Sequence, residues 1–165
     1  MPTTPDTNLP AEFSIRPATN ADIPAIRAVL FAVRQEYGVL CEIGANDAEL
    51  DDLERNYFQR GGLFEVVEDA AQRIVGCAGL LPLSPQRAEL CKMYLQASAR
   101  GRGLGRRLLE RTLDAARRGG FSEVWLETNS VLTAAITLYA SYGFQPVAPD
   151  TFVSACDQAY LLRLG

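Results

Sequence analysis

The sequence contains no histidine. That excludes Ser-His-Asp and Cys-His catalysis, histidine zinc ligation and any imidazole base. Cysteine is sparse, at positions 41, 77, 91 and 156 with no C-x-x-C pair, so neither a zinc site nor a redox motif is indicated and no metal is expected. Small, buried, free thiols are the simplest reading. No apolar stretch approaches the roughly 18 residues of a membrane-spanning helix, so no membrane partner is expected. The opening MPTTPDTNLPAEF shows neither a basic nor an apolar leader segment, and a cytoplasmic protein is the expectation. Positive charge is outnumbered, 16 Lys and Arg against 20 Asp and Glu, for a net −4 and a sequence pI of about 4.9. That balance gives no support to nucleic-acid binding.

What is present suffices for one domain: 165 residues, 48% hydrophobic and 22% charged. Residues 1–10, with three prolines and three threonines, read as a flexible tail, and 11–165 as a single domain. The patterning predicts a strand at 12–16. A helix follows, capped by Thr19 or Asn20, with Pro24 in its first turn and Gly38 at its end. Residues 39–46 read as a loop, and Leu50, Leu53 and Tyr57 predict a second helix over 47–58. Strands are expected at 63–67, 74–81 and 89–95, then a helix opening at Leu104 and stopped by Gly119-Gly120. A strand at 124–127, a helix ending at Gly143 and strands at 144–147 and 155–164 complete the chain. Helices interleaved with sheet segments argue for an α/β or α+β layer fold.

Charge is unevenly placed. Residues 99–120 hold seven arginines (Arg100, Arg102, Arg106, Arg107, Arg111, Arg117, Arg118) against Glu110 and Asp114. A basic island in an acidic chain points to a small anionic ligand, or to a solvated helix face. Within it, Gly101, Gly103 and Gly105 lie between a predicted strand and a predicted helix. Their missing side chains let ligand oxygens approach the backbone, and the helix start offers unpaired N–H groups and the positive dipole end. Together these suit phosphate or pyrophosphate. The dinucleotide fingerprint G-x-G-x-x-G fails because Arg106 stands where its last glycine belongs, and no G-K-[ST] triplet exists for a Walker loop.

The segment instead resembles the Q/R-x-x-G-x-G/A signature of the GNAT superfamily of acetyl-CoA-dependent N-acetyltransferases: Arg100, two residues, Gly103, Leu104, Gly105. A second family feature, a helix ending in L-Y-x-x-x-G-F, is matched by Leu138-Tyr139-Ala140-Ser141-Tyr142-Gly143-Phe144. The resemblance implies a mixed, mostly antiparallel sheet of six to seven strands flanked by about four helices. It implies an acetyl-CoA co-substrate whose pyrophosphate is held by Arg100, Gly101, Arg102, Gly103, Leu104, Gly105 and Arg106. The pantetheine arm would pair with the strand carrying Met93, Tyr94 and Leu95, with the Met93 N–H aimed at the thioester carbonyl. Tyr139 corresponds to the family tyrosine that protonates the departing thiolate. Leu132 stands where many members carry asparagine. A homodimer is also implied.

An attacking amine must shed a proton, and without histidine a carboxylate or a water relay has to take it. Glu89, eleven residues before Arg100, resembles the general-base glutamate of some members, and regular alternation would put it on one face with Cys91, Met93 and Leu95. Glu127 on the next strand is the alternative. Alternation also turns Lys92 away from Cys91, which argues for direct transfer over a cysteine thioester. The acids Glu42, Asp47, Glu49, Asp51, Asp52 and Glu54 read as a solvated acidic helix face or as a field that attracts a cationic acceptor, whereas Arg34 and Tyr37 suit a carboxylate. A small-molecule amine is the expected substrate. A protein amine, a non-catalytic coenzyme-A sensor and a nucleotide-binding regulator are the alternatives.

Overall fold

Ile26, Val29, Leu30 and Val33 recur at helical spacing and are all buried, and the helix they define, α1 (Ile23–Tyr37), lies across one face of a sheet. Its entry is fixed by Thr19, whose N–H donates to Asp22 Oδ2 at 2.8 Å, and its exit by Gly38 at φ +65°. The computed structural model describes residues 7, 9–39, 47–148 and 156–165. Most of the tail expected over 1–10 and of the loop expected over 39–46 therefore lies outside the described residues. Leu9 and Phe13 pack against the cluster around Ile15, Leu104 and Leu108.

Seven strands form one sheet: β1 (Ser14–Pro17), β2 (Leu63–Glu68), β3 (Ile74–Pro82), β4 (Arg87–Leu95), β5 (Glu123–Thr128), β6 (Gln145–Pro146) and β7 (Gln158–Arg163). Their order is β1-β2-β3-β4-β5-β7-β6, and every pairing is antiparallel except β4 with β5. The expected mixed, mostly antiparallel seven-stranded sheet is what the chain forms. With α1 on one face is the short α2 (Leu53–Asn56). The other face carries α3 (Leu104–Arg118) and α4 (Thr133–Ser141). Side chains such as Leu108, Leu109 and Phe144 are buried there, each contributing about 2 kcal/mol of transfer free energy. Among the described residues no helix is long and apolar enough to cross a membrane.

The helix expected over 47–58 is broken into a 3-10 turn at Ala48–Asp51, α2, and a second turn at Phe58–Arg60. Asp52 causes the break. Its backbone is extended (φ −151°, ψ 97°), and its side chain caps α2 by accepting from Arg55 N. Asn20 Oδ1 accepts the neighbouring Leu53 N–H at 2.8 Å and ties this segment to the start of α1.

Two irregularities in the sheet shape the site. β4 and β5 pair only from Arg87–Glu89 to Glu123–Trp125; beyond this the strands go separate ways, β4 with β3 and β5 with β7. The second is a bulge in β4. Cys77 pairs with Tyr94 but Gly79 pairs with Cys91, so Lys92 and Met93 together face Ala78, and Lys92 takes φ +54°.

Candidate active site

Where β4 and β5 part, a cavity of about 300 Å³ opens. Met93, Tyr94 and Leu95 line it from β4, Arg100, Gly101, Gly103, Leu104, Gly105 and Arg106 from the turn and first turn of α3, and Val33 and Tyr37 from α1. Leu132, Thr133, Ala134, Ala135 and Leu138 close it from α4. Nine of the ten residues expected at a cofactor thus meet at one cavity. Arg102 does not; its guanidinium pairs with Glu12 and lies over the Phe13 ring.

The floor of the cavity suits an anion. Gly101 and Gly103 take φ +74° and +78°, a left-handed conformation costly for other residues, and a side chain at either would meet open space. Gly103 caps α3 with no side-chain hydrogen bond, and the first turn holds no acid, so the amides of Leu104, Gly105 and Arg106 face outward without a competing carboxylate. The Arg100 guanidinium is already engaged within the chain. It binds Glu36 at 2.6 and 2.9 Å, donates from Nε to Leu95 O at 2.9 Å, and lies over the Tyr37 ring. Arg106 faces Tyr142. The residues present fit an anionic, chain-like ligand through the backbone more than through guanidinium groups.

The bulge overturns the expected alternation along β4. Glu89 does not share a face with Met93 and Leu95. Cys91 and Tyr94 pack on the α1 side, while Met93 and Leu95 pack on the α3 side. Lys92, expected to turn away from Cys91, lies on the α1 side, with Nζ 2.7 Å from Asp47 and 3.2 Å from Glu49. Nor is Arg34 available to a substrate carboxylate as expected. It clamps Asp47 through two hydrogen bonds of 2.5 and 3.0 Å and lies over Tyr94. Asp47 is buried, yet hydrogen bonds from Arg34 and Lys92 outweigh that burial and hold its carboxyl down to about 2. The acidic run is spent similarly: Asp51 pairs with Arg27 and Asp52 caps α2.

Glu89 sits where β4 and β5 diverge, its backbone opposite Trp125. Burial, then repulsion from Glu127, pushes its carboxyl up to about 7, with Lys92 pulling partly back and Glu49 adding to the rise. The cations adjacent on β4 are engaged with other carboxylates: Arg87 binds Glu123, and Lys92 binds Asp47 and Glu49. Cys91 is a poor nucleophile, its thiol pushed above the usual range by burial and by Glu89. Tyr139 on α4 is buried against Phe144, ring centroids 5.8 Å apart. Burial, reinforced by Tyr94, keeps its phenol protonated well beyond the ordinary range. Lys92 and Tyr57 carry no motif; only the three-dimensional structure brings them together at Glu49.

The profile of the acetyltransferase (GNAT) family matches residues 30–144. The uncharacterized N-acetyltransferase YjgM of Escherichia coli K12 is 36% identical over 81% of this chain and 82% of its own length. Human N-acetyltransferase 8 is 31% identical over 70% of this chain, which spans about half of that protein (52%). Among solved structures, a GNAT-family acetyltransferase from Staphylococcus aureus Mu50 superposes with a TM-score of 0.83 at 21% identity, covering 93% of this chain and 99% of that one. The structure of yncA from Salmonella typhimurium with its cofactor acetyl-CoA gives 0.72 at 25% identity, covering 93% and 95%.

Proposed function

Since the chain belongs to the acetyltransferase (GNAT) family, we propose that it moves an acetyl group from acetyl-CoA to the amine of a small molecule by direct attack in a ternary complex. The observation that carries this reading is the cavity at the β4–β5 divergence, floored by the uncapped start of α3. The amides of Leu104, Gly105 and Arg106 would hold the pyrophosphate. The β4 edge from Met93 to Leu95 would hold the pantetheine arm, its amide groups replacing a neighbouring strand. The Met93 N–H would donate to the thioester carbonyl as negative charge builds on its oxygen.

Glu89 would take the proton that the amine sheds as its nitrogen bonds to the acetyl carbon. As the carbon–sulfur bond breaks, Tyr139 would donate its phenolic proton to the sulfur, and solvent would restore it. A carboxyl poised near 7 accepts a proton at neutral pH without holding it too tightly. A phenol that stays protonated supplies the acid without activation. A small acceptor is supported by how tightly the α2 segment closes on β4, through Lys92 on Asp47 and Glu49 and a fully buried Tyr57.

Acetyl-CoA titration by calorimetry, followed by thiol release against a panel of small amines and peptides, tests the reading. Saturable binding and amine-dependent release, strongest with small amines, are expected. Binding without release across the panel would make the chain a coenzyme-A sensor.

A further inference from the structure

Lys92 is the single lysine of a sequence that otherwise places arginine at every cationic position. It sits in the β4 bulge at φ +54°, a conformation that disfavours side chains. Its side chain is only 12% exposed and makes two ion pairs with a carboxylate segment 43 to 45 residues earlier in the chain. Without the bulge the ammonium would fall on the α3 side. With it, an unbroken polar chain runs along the α1 side of the sheet. Arg34 binds Asp47, Asp47 binds Lys92, Lys92 binds Glu49, and Glu49 accepts from the Tyr57 hydroxyl at 3.3 Å.

Glu89 stands beside this chain. On its own strand it shares a face with Cys91, whose sulfur is 3.3 Å from the Tyr57 hydroxyl that ends this chain, and its backbone lies opposite Trp125, two residues before Glu127 on β5. Glu127 and, from the turn before α2, Glu49 disfavour its charge, and Lys92 opposes them. We propose that Lys92 is a positioning residue for the acid–base centre: delivered by the bulge, its ammonium clamps the Asp47–Glu49 segment over β4 and provides the positive charge that lets Glu89 ionise beside Glu49 and Glu127. This rests on the reading of Glu89 as the base. Lysine suits the task because a compact ammonium reaches two carboxylates in a narrow space, where a planar guanidinium engages one in a fork.

The test titrates the Glu89 side chain by carbon-13 NMR, in the full chain and independently of turnover, with Glu89→Gln identifying the resonance. In Lys92→Met the midpoint is expected to rise by about one pH unit or more, and in Lys92→Arg, which keeps the charge, by much less. In Glu49→Gln, which removes a like charge and frees the ammonium, it is expected to fall. The acid limb of kcat/KM for the amine should move with the carboxyl, about tenfold lower at pH 6 for Lys92→Met, while acetyl-CoA affinity stays within about twofold. An unmoved Glu89 midpoint in folded Lys92→Met overturns the proposal. Should that variant fail to fold, an unmoved midpoint in Glu49→Gln overturns it equally. If the parent transfers no acetyl group, the functional reading fails while the titration still decides this one.

Discussion

The Tyr57 hydroxyl lies 3.3 Å from the Cys91 sulfur and 3.3 Å from a Glu49 carboxylate oxygen. The thiol therefore sits in a buried hydrogen-bonded row beside two carboxyls, Glu49 and Glu89, that disfavour a thiolate. Lys92, on the same side, offsets this only in part.

Direct transfer requires no covalent step on such a thiol, so Cys91→Ala should retain turnover within about threefold. Intact-mass measurement after exposure to acetyl-CoA should show no acetylated enzyme. A loss of two orders of magnitude, or a trapped acetyl adduct absent from the variant, would establish a ping-pong route.

Gly105→Ala separates ligand approach from fold. A Cβ there would meet Leu95, Leu138 and Met93 at 3.6 to 3.9 Å, ordinary contact distances. Replacing a glycine in α3 favours the helix by up to about 1 kcal/mol. The variant should be at least as thermostable as the parent, yet bind acetyl-CoA about tenfold more weakly because the methyl faces the cavity. Unchanged affinity by calorimetry would move the pyrophosphate elsewhere.

Glu89→Gln should abolish the rise of kcat with pH through about 7, leaving a slow, flat profile about 10²-fold below the parent plateau. Stability changes in a defined direction. The unfolded carboxyl ionises near 4.5 and the folded one near 7, so the folded state holds the extra proton between them. Whatever the neutral group contributes is fully present below 4.5 and lost as pH rises to 7. The glutamine variant should therefore be more stable than the parent at pH 8, by on the order of 2 kcal/mol, and match it at pH 4. Denaturant titration at the two pH values reads this. A parent whose stability does not fall over that window would place Glu89 in solvent.

Tyr139→Phe keeps the ring against Phe144 and deletes the proton donor. A fall in kcat of about 10²-fold is expected, with melting temperature and acetyl-CoA affinity nearly unchanged. Because burial holds the phenol protonated, the parent should lose no activity through this group up to pH 10. Turnover within about twofold of the parent, where chemistry limits the rate, would make Tyr139 a packing residue.

Much of the cavity's glycine-rich floor was legible because its determinants are local. Three glycines before a helix with Leu104, Leu108, Leu109 and Leu113 on one face announce the α3 turn. Gly38, Gly119 and Gly143 mark helix ends within a residue or two of where they fall. The charge pairing was not legible, for the opposite reason. Lys92 meets Asp47 across 45 residues, Arg100 meets Glu36 across 64, and Arg102 meets Glu12 across 90. Pairing at such separations follows from the fold and leaves no periodic trace, so the basic island and the acidic run read as ligand fields when much of their charge is spent within the chain. The bulge is equally silent. ELCKMYL alternates like any half-buried strand, and only pairing with β3 shows that one position is extra.

That extra position can be removed without moving its neighbours to other faces. A strand one residue shorter would pair regularly past Ala78, with Met93 opposite it, Cys91 still opposite Gly79 and Tyr94 still opposite Cys77. Tyr94 would stay beneath α1, and Met93 and Leu95 would stay on the α3 side. What the strand would lose is the ammonium that binds Asp47 and Glu49. Excising Lys92 should therefore leave the cavity lining in place and release only the segment in front of α2, so a shortened strand should still fold.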